Sequence, residues 1–449
     1  MIDLVKDSYS CCGCGACMNV CPKGAIEMRE DSAGFKFPHI DTSKCIECGL
    51  CLKVCKFENP ELAYPRAAYI CQLRDENTLA LSTSGGAFRA LAERIIEKGG
   101  VVFGCAYTEN DGRLIPSTIA VDNIEELPKL SGSKYVQSEM GFAYKKAKSF
   151  LDKGRIVLFS GTPCHISGLY GYLGKPYDNL YTTDLICHGV PILKMFQSEL
   201  SRIEKKYKSK VKYFCFRDKR IAAWGKYKYS FELENGETHN GILYDSAYLD
   251  LFLKGEIIRD SCTKCPYARP ERVSDITIGD AWGAEIAHPD FEKSRGGDFN
   301  FKNGLSLVSV NTDKGEKLFS ELCSLKDKLV DYSGMVKFNR QLGFPMRESP
   351  NRAKYMRAFE KSGIYGLYSE RLKIEWLPML RRKIRKIIPK WIKRRLKKAK
   401  IDKKYESNIS GKIRQHFHGY TFDDGADYLH IVLYAFAYGG VRFYERDVG

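Results

Sequence analysis

No uninterrupted apolar run in the 449 residues is long enough to span a bilayer. The opening MIDLVKDSYS has no apolar stretch behind its charges, so no secretory signal is expected either. With no route to an oxidising compartment, the 17 cysteines are expected as reduced thiolates available to metal, and the chain is expected in the cytoplasm. Acidic residues are missing from Arg381 to Lys400 (RRKIRKIIPKWIKRRLKKAK), and that segment accounts for much of the net charge of +17. The remainder is therefore no general basic surface, and no specific nucleic-acid partner is expected. No serine–histidine–acid order or carboxylate pair stands out, so no residue is assigned a catalytic role. Wholesale disorder is excluded, because 44% hydrophobic and 12% aromatic residues suffice for two or three cored domains.

What the chain has in abundance is patterned cysteine. Cys11, Cys14, Cys17, Cys21 and Pro22 follow the spacing C-x2-C-x2-C-x3-C-P. Cys45, Cys48, Cys51 and Cys55 repeat it, and the pairs Gly15/Gly49 and Val20/Val54 keep the same offset, which marks an internal duplication. A cubane cluster needs four inward thiolates; a tight loop with three cysteines provides three, and in two-cluster ferredoxins the fourth comes from the other run. The spacing predicts one 4Fe-4S cluster on Cys11, Cys14, Cys17 and Cys55 and a second on Cys45, Cys48, Cys51 and Cys21, with Cys12 left over. Zinc modules usually bring two C-x2-C pairs per ion, which this pattern does not match. Lys56, standing where a second proline would be, affects chain shape and not ligation.

After a linker at Asn59 to Pro65, AAYICQL reads as a strand, and LSTSGGAFRALAERIIEKGG as a turn entering an amphipathic helix. Ser82, Thr83, Ser84, Gly85 and Gly86 then sit at a helix N-terminus, which suits an anion such as a phosphate. An ordinary Ser/Thr cap is the alternative, and the paired glycines favour close approach by a ligand. VVFGCAYT, RIVLFS and YTTDLICHGVP are strands alternating with helices. They argue for an α/β fold whose ligands gather at the carboxyl ends of the strands, the edge that holds Cys164 in the loop GTPCH and Cys187. CTKCPYA adds Cys262 and Cys265, and DITIGDAWG adds a short strand ahead of Asp280 and Trp282. A third cluster is the sharper reading of these four cysteines, with a zinc ion or buried core thiols as the alternatives, and spacing alone leaves metal and no metal about even.

In STSGGAF, GSKYVQS, LFSGTPCHISGL, DLICHGVP, CFRDK, CTKCPYA and DITIGDAWG, in that order, the chain resembles the coenzyme F-420 hydrogenase/dehydrogenase beta-subunit family. The resemblance is to its bacterial branch with a fused two-cluster ferredoxin domain, and it runs from about Cys11 to about Val310. It implies bound FAD and a third 4Fe-4S cluster on Cys164, Cys187, Cys262 and Cys265. Electrons would pass between the clusters and a flavin that exchanges hydride with a deazaflavin or other two-electron partner. It also implies Ser84, Gly85 and Gly86 at the flavin phosphates, with Lys134 and Thr162 as further contacts. His165 and His188 are expected to order their loops rather than to shuttle protons. A capping role for Asp280 and core packing for Trp282 serve as well as a pocket role.

The expected fold is thus an α+β two-cluster ferredoxin domain (1–60) fused to an α/β flavin-binding catalytic domain in two parts (66–145 and 146–320). A helical extension (321–378), a basic amphipathic helix (379–400) and an unassigned tail (401–449) follow. In that helix Leu380, Ile384, Ile387, Ile388, Trp391, Ile392 and Leu396 form an apolar stripe opposite Lys and Arg, kinked at Pro389. The pattern suits peripheral contact with an anionic membrane surface at the inner face of the cell membrane. The expected activity is that of an iron–sulfur flavoprotein oxidoreductase working with a redox partner protein or a small two-electron donor or acceptor. A non-catalytic ferredoxin-type carrier docking on a partner enzyme is the alternative, and flavin content separates the two. A zinc-containing nucleic-acid binder is separated by acid-labile sulfide.

Overall fold

The computed structural model describes residues 4–387, with side chains as far as Trp376. The basic helix expected over 379–400 lies outside the described residues from 388 on, as does the whole of the tail. The chain divides after Ile374, and the elements that carry the site belong to the part before it. Among the described residues no helix is long and apolar enough to cross a membrane.

The two cysteine runs fold alike. Gly15 (φ 74°) and Gly49 (φ 71°) each take the left-handed conformation immediately before a short helix, Ala16–Val20 and Leu50–Lys53. Only glycine takes that conformation at almost no cost, which accounts for glycine at both matched positions. Between the runs lies an antiparallel hairpin, β1 (Ile26–Glu30) and β2 (Lys36–Ile40), with Ile26 opposite Ile40.

The rest of the chain supplies β3 (Ala67–Leu73), β4 (Val101–Asn110), β5 (Arg113–Val121), β6 (Val157–Gly161), β7 (Leu180–Leu185), β8 (Val211–Cys215), β9 (Lys228–Leu233), β10 (Thr238–Ile242), β11 (Ile276–Asp280), β12 (Ser306–Val310) and β13 (Leu325–Val330). Strands β8, β9 and β10 form a small antiparallel sheet, and the other eight form one sheet in the order β13-β3-β12-β11-β7-β6-β4-β5. Its centre, β11, β7, β6 and β4, is parallel, and its flanks are antiparallel.

Side chains alternate across this sheet. Val102 and Leu158 join Leu91 and Ile95 of the helix Ala87–Glu97 on one face. Val101, Phe103, Val157 and Phe159 meet helices Ala143–Asp152 and Pro163–Leu173 on the other, through Ala147, Leu151, Ile166 and Leu169. Each large side chain so buried contributes about 1.5–3 kcal/mol, and cover on both faces is what a parallel centre requires. The register then aligns the strand ends: Gly161 lies opposite Asp184, Leu185 opposite Ile278, and Asp280 opposite Ser306.

Three expectations change. Residues 321–378 are not wholly helical, because β13 pairs with β3 at the edge of the large sheet. Its sequence LKDKLV carries the charges that protect an edge strand, and they mask its apolar alternation. The helix after β6 begins at Pro163, whose missing N–H suits a first helical position, so Cys164 lies in a helical turn and not in a loop. The linker before Pro65 is tied down, Ala63 and Arg272 exchanging N–H···O bonds of 2.9 and 2.8 Å.

Candidate functional site

Cys21, Cys45, Cys48 and Cys51 line one small cavity together with Ile26, Ile40, Ile46 and Leu50. Cys17 lies within electrostatic reach of Cys14, Cys11 and Cys55, and Cys11 within reach of Cys14 and Cys55. Cys187 is in the same relation to Cys262, Cys164 and Cys265. The structure therefore brings the cysteines of each expected grouping near one another, with Cys14 of the first also packed close to Cys164 of the third, and all 17 cysteines are free of disulfides. Among the described residues no three Cys, His, Asp or Glu side chains are grouped so as to hold a single metal ion. Zinc with bonds of about 2.3 Å would need its sulfurs within about 4 Å of one another, whereas a cubane takes sulfurs spread around a volume. Burial pushes the Cys11 and Cys262 thiols up to about 11 and Cys265 to about 12, so taking up iron releases protons.

The third set is assembled by contacts distant in sequence. Asp184, three residues before Cys187, forms a fully buried ion pair with Arg272, Nη2 to Oδ2 at 3.0 Å. Arg272 also donates to the carbonyls of Tyr267 and Arg269, at 3.1 and 3.3 Å, and so fixes the turn after Cys265. Burial raises the Asp184 carboxyl above its usual range, and the guanidinium opposes that rise. Cys12, unassigned by spacing, is buried in one apolar cluster with Cys14 of the first set and Cys164 and Cys265 of the third. The Thr162 hydroxyl lies 3.2 Å from Cys164 Sγ, which places it with the third cysteine set.

The helix Pro163–Leu173 also seats the ferredoxin part. A Cβ on Gly168 would lie 2.9 Å from Cys14 Sγ, and one on Gly171 would lie 2.1 Å from the carbonyl oxygen of Val54. His165 is buried on this helix; burial first and Arg259 second hold its pKa down to about 4, so it is neutral. His188 is bonded through both ring nitrogens, to Leu253 O at 3.0 Å and to Gln341 Nε2 at 2.8 Å, and it orders its loop.

The turn at Ser84 departs from expectation. A Cβ on Gly85 would lie 2.2 Å from Cys71 O and 2.4 Å from Ser306 N, and one on Gly86 2.2 Å from Leu73 Cδ1. The chain's own backbone and core demand these glycines, so their pairing is no evidence of a ligand's close approach. The Ser84 hydroxyl is spent on Leu305 O.

One lysine, Lys219, holds this turn, and Lys134 lies on the segment that packs beside it through Ser133. Lys219 Nζ donates to Ser84 O and Asn303 O, both at 2.6 Å, and Lys134 Nζ donates to Ser131 O at 2.7 Å and Lys129 O at 3.1 Å. Neither lysine forms an ion pair among the described residues. Burial lowers both, Lys219 to about 7 with the neighbouring Arg217 as the second cause. Arg217 is held by both Asp280 oxygens at 2.6 and 3.1 Å. Trp224 Nε1 donates to Asp280 at 2.9 Å and stacks on Trp282 with centroids 4.6 Å apart. Asp280 is thus an organiser of this corner and not a helix cap. Sequence reading gives no role to Arg217, Lys219 or Trp224; the motif CFRDK was the only signal, and it does not say what the charges meet.

Against known proteins, residues 154–329 match the family model for the C-terminal part of the coenzyme F420 hydrogenase/dehydrogenase beta subunit, and residues 10–59 match a 4Fe-4S dicluster domain. A curated relative, the coenzyme F420-dependent sulfite reductase of Methanocaldococcus jannaschii, is 27% identical over 201 residues, covering 42% of this chain and 29% of that protein. The chain thus spans less than a third of that relative's length. A chain of the solved F420-reducing NiFe hydrogenase complex from Methanosarcina barkeri is similar at 16% identity and a TM-score of 0.41, over 63% of this chain and 92% of that one.

Proposed function

We propose, for a chain that belongs to the coenzyme F420 hydrogenase/dehydrogenase beta-subunit family, an iron–sulfur oxidoreductase that relays single electrons through three 4Fe-4S clusters to or from FAD. The flavin would exchange hydride with a deazaflavin-like or other two-electron partner. A flavin handles electrons in pairs and a cluster one at a time, so together they join partners of the two kinds.

The observation that supports a relay is the succession of cysteine sets. Cys12 packs in one apolar cluster with Cys14 of the first set and Cys164 of the third. Cys164 lies only four residues, about 6 Å of helix axis, from Gly168, on which Cys14 packs. From Leu185, two residues before Cys187, the sheet continues to Ile278 on the adjacent strand β11, two residues before Asp280, one strand spacing of about 4.8 Å away. There Lys219, half-buried and without an ion pair among the described residues, favours an anionic group such as the FAD pyrophosphate when protonated, and the Trp224–Trp282 stack offers a planar wall. At the other end, Cys48 is exposed beside Ile46 and Leu52, which are 57% and 49% exposed. That apolar face suits a redox partner protein.

Anaerobic purification with iron, acid-labile sulfide, zinc and flavin measured per chain tests the reading. It expects about twelve iron and one FAD per chain. About eight iron without flavin would leave a two-cluster carrier, and zinc without sulfide would reject the relay.

A further inference from the structure

Arg259, three residues before Cys262, is the largest fully buried side chain among the described residues, with 1% of its surface exposed. Its Nε donates to Cys11 O at 2.8 Å and its Nη2 to Lys36 O at 3.0 Å. Its Nη1 lies 3.5 Å from Gln137 Oε1, and Gln137 in turn donates to Cys12 O at 3.0 Å. The rings of Phe37 and Phe35 lie 4.1 and 5.6 Å from the guanidinium carbon. No carboxylate pairs with it among the described residues.

A buried charge without a counter-ion is strongly disfavoured, and carbonyl dipoles and ring faces offset only part of that. The guanidinium lies instead against two of the cysteine loops: it holds the Cys11 carbonyl at 2.8 Å, a Cβ on Gly13 between Cys11 and Cys14 would lie 3.1 Å from its Nη1, and the short helix that carries Cys262 starts directly after it. Four thiolates around a 4Fe-4S core leave a net negative cluster, and charge near a cluster tunes its potential.

We infer that Arg259 is the counter-charge of the first cluster, shared with the third, and that it raises their reduction potentials. The inference rests on the cluster reading proposed above. Reduction adds one negative charge, and a fixed cation in a water-excluded site stabilises that state with little screening. Arg259 reaches from the α/β part to β2 and to the Cys11 loop, so one residue both joins the two parts and biases electrons toward their junction. It is a positioning residue, acting through the clusters.

The test uses the full chain, purified without oxygen, as wild type, Arg259→Gln and Arg259→Lys, with iron and sulfide counted before an EPR-monitored redox titration. Arg259→Gln is expected to keep its iron and to shift the one-electron reduction equilibrium of the first cluster at least tenfold toward the oxidised form, about 59 mV downward. The third cluster moves less and the cluster on Cys21, Cys45, Cys48 and Cys51 does not move, while Arg259→Lys restores most of the shift. Loss of iron in Arg259→Gln with retention in Arg259→Lys also supports a counter-charge. Intact clusters at unchanged potential in Arg259→Gln overturn the inference. So does equal iron loss in both variants, which marks a purely structural tie. Wild type without sulfide rejects the cluster reading itself, an outcome distinct from either.

Discussion

Replacing Gly171 by alanine tests whether the helix Pro163–Leu173 sets the seat of the ferredoxin part. The new Cβ would lie 2.1 Å from Val54 O and 3.1 Å from Val54 C, against an ordinary C···O contact of about 3.3 Å, so the backbone before Cys55 or the helix must retreat by about 1 Å. Both partners are backbone and Val54 is buried, so the cost belongs near the top of the overpacking range of about 1–3 kcal/mol. At about 2.1 cal/mol/K per residue, the unit from Met1 to Ile374 shifts by only about 1.3 °C per kcal/mol, so anaerobic calorimetry should record a fall of roughly 3–4 °C. Because Cys55 is the proposed fourth ligand of the first cluster, about four iron per chain should be lost as well. Gly174→Ala is the control. Its glycine has φ +66° and nothing within 4 Å, so alanine there costs about 1 kcal/mol of backbone strain and no iron. Full iron in Gly171→Ala, with a thermal shift no larger than that of Gly174→Ala, would refute the reasoning.

Asp184→Asn leaves Arg272 buried without its carboxylate; unfolding titrations should show about 3–5 kcal/mol of lost stability, and an unchanged midpoint would contradict the ion pair's role. Lys219, held near a pKa of about 7 by burial and by Arg217, is charged below that pH and neutral above it. FAD affinity measured by fluorescence should therefore fall as the pH rises from about 6 to about 8, and Lys219→Met should bind weakly with a flat profile. Cys12→Ala should keep about twelve iron while Cys164→Ala loses about four, measured colorimetrically; equal losses would make Cys12 a ligand.

The features legible in the sequence are those encoded locally. Three cysteines spaced on one loop declare their chemistry without reference to the rest of the chain, and AAYICQL or RIVLFS declare strands by apolar content alone. The misreadings share a physical cause. A glycine pair reports that something comes close but not what, and at Gly85 and Gly86 it is the chain itself. Strand β13 hides because an edge position admits Lys and Asp. Arg217 gains its meaning from Asp280, 63 residues away, and Arg259 from Cys11, 248 residues away, separations that no local pattern spans.

The third cysteine set shows how the sheet converts distance in sequence into proximity. Gly161 and Asp184 are register partners on parallel neighbours β6 and β7, and Cys164 and Cys187 each lie three residues beyond them. Parallel strands end on the same edge, so both thiols are delivered to it by backbone pairing before any cofactor is considered. The Cys262–Cys265 pair has no strand of its own to bring it there; it arrives because Arg272 inserts its guanidinium against Asp184, one strand residue from that edge. A one-residue slip of β7 against β6 would turn Asp184 to the opposite face and break the pair. The register of two short strands and one buried ion pair are therefore joint conditions for the third set, and a perturbation of either should be felt first at Cys187 and Cys265.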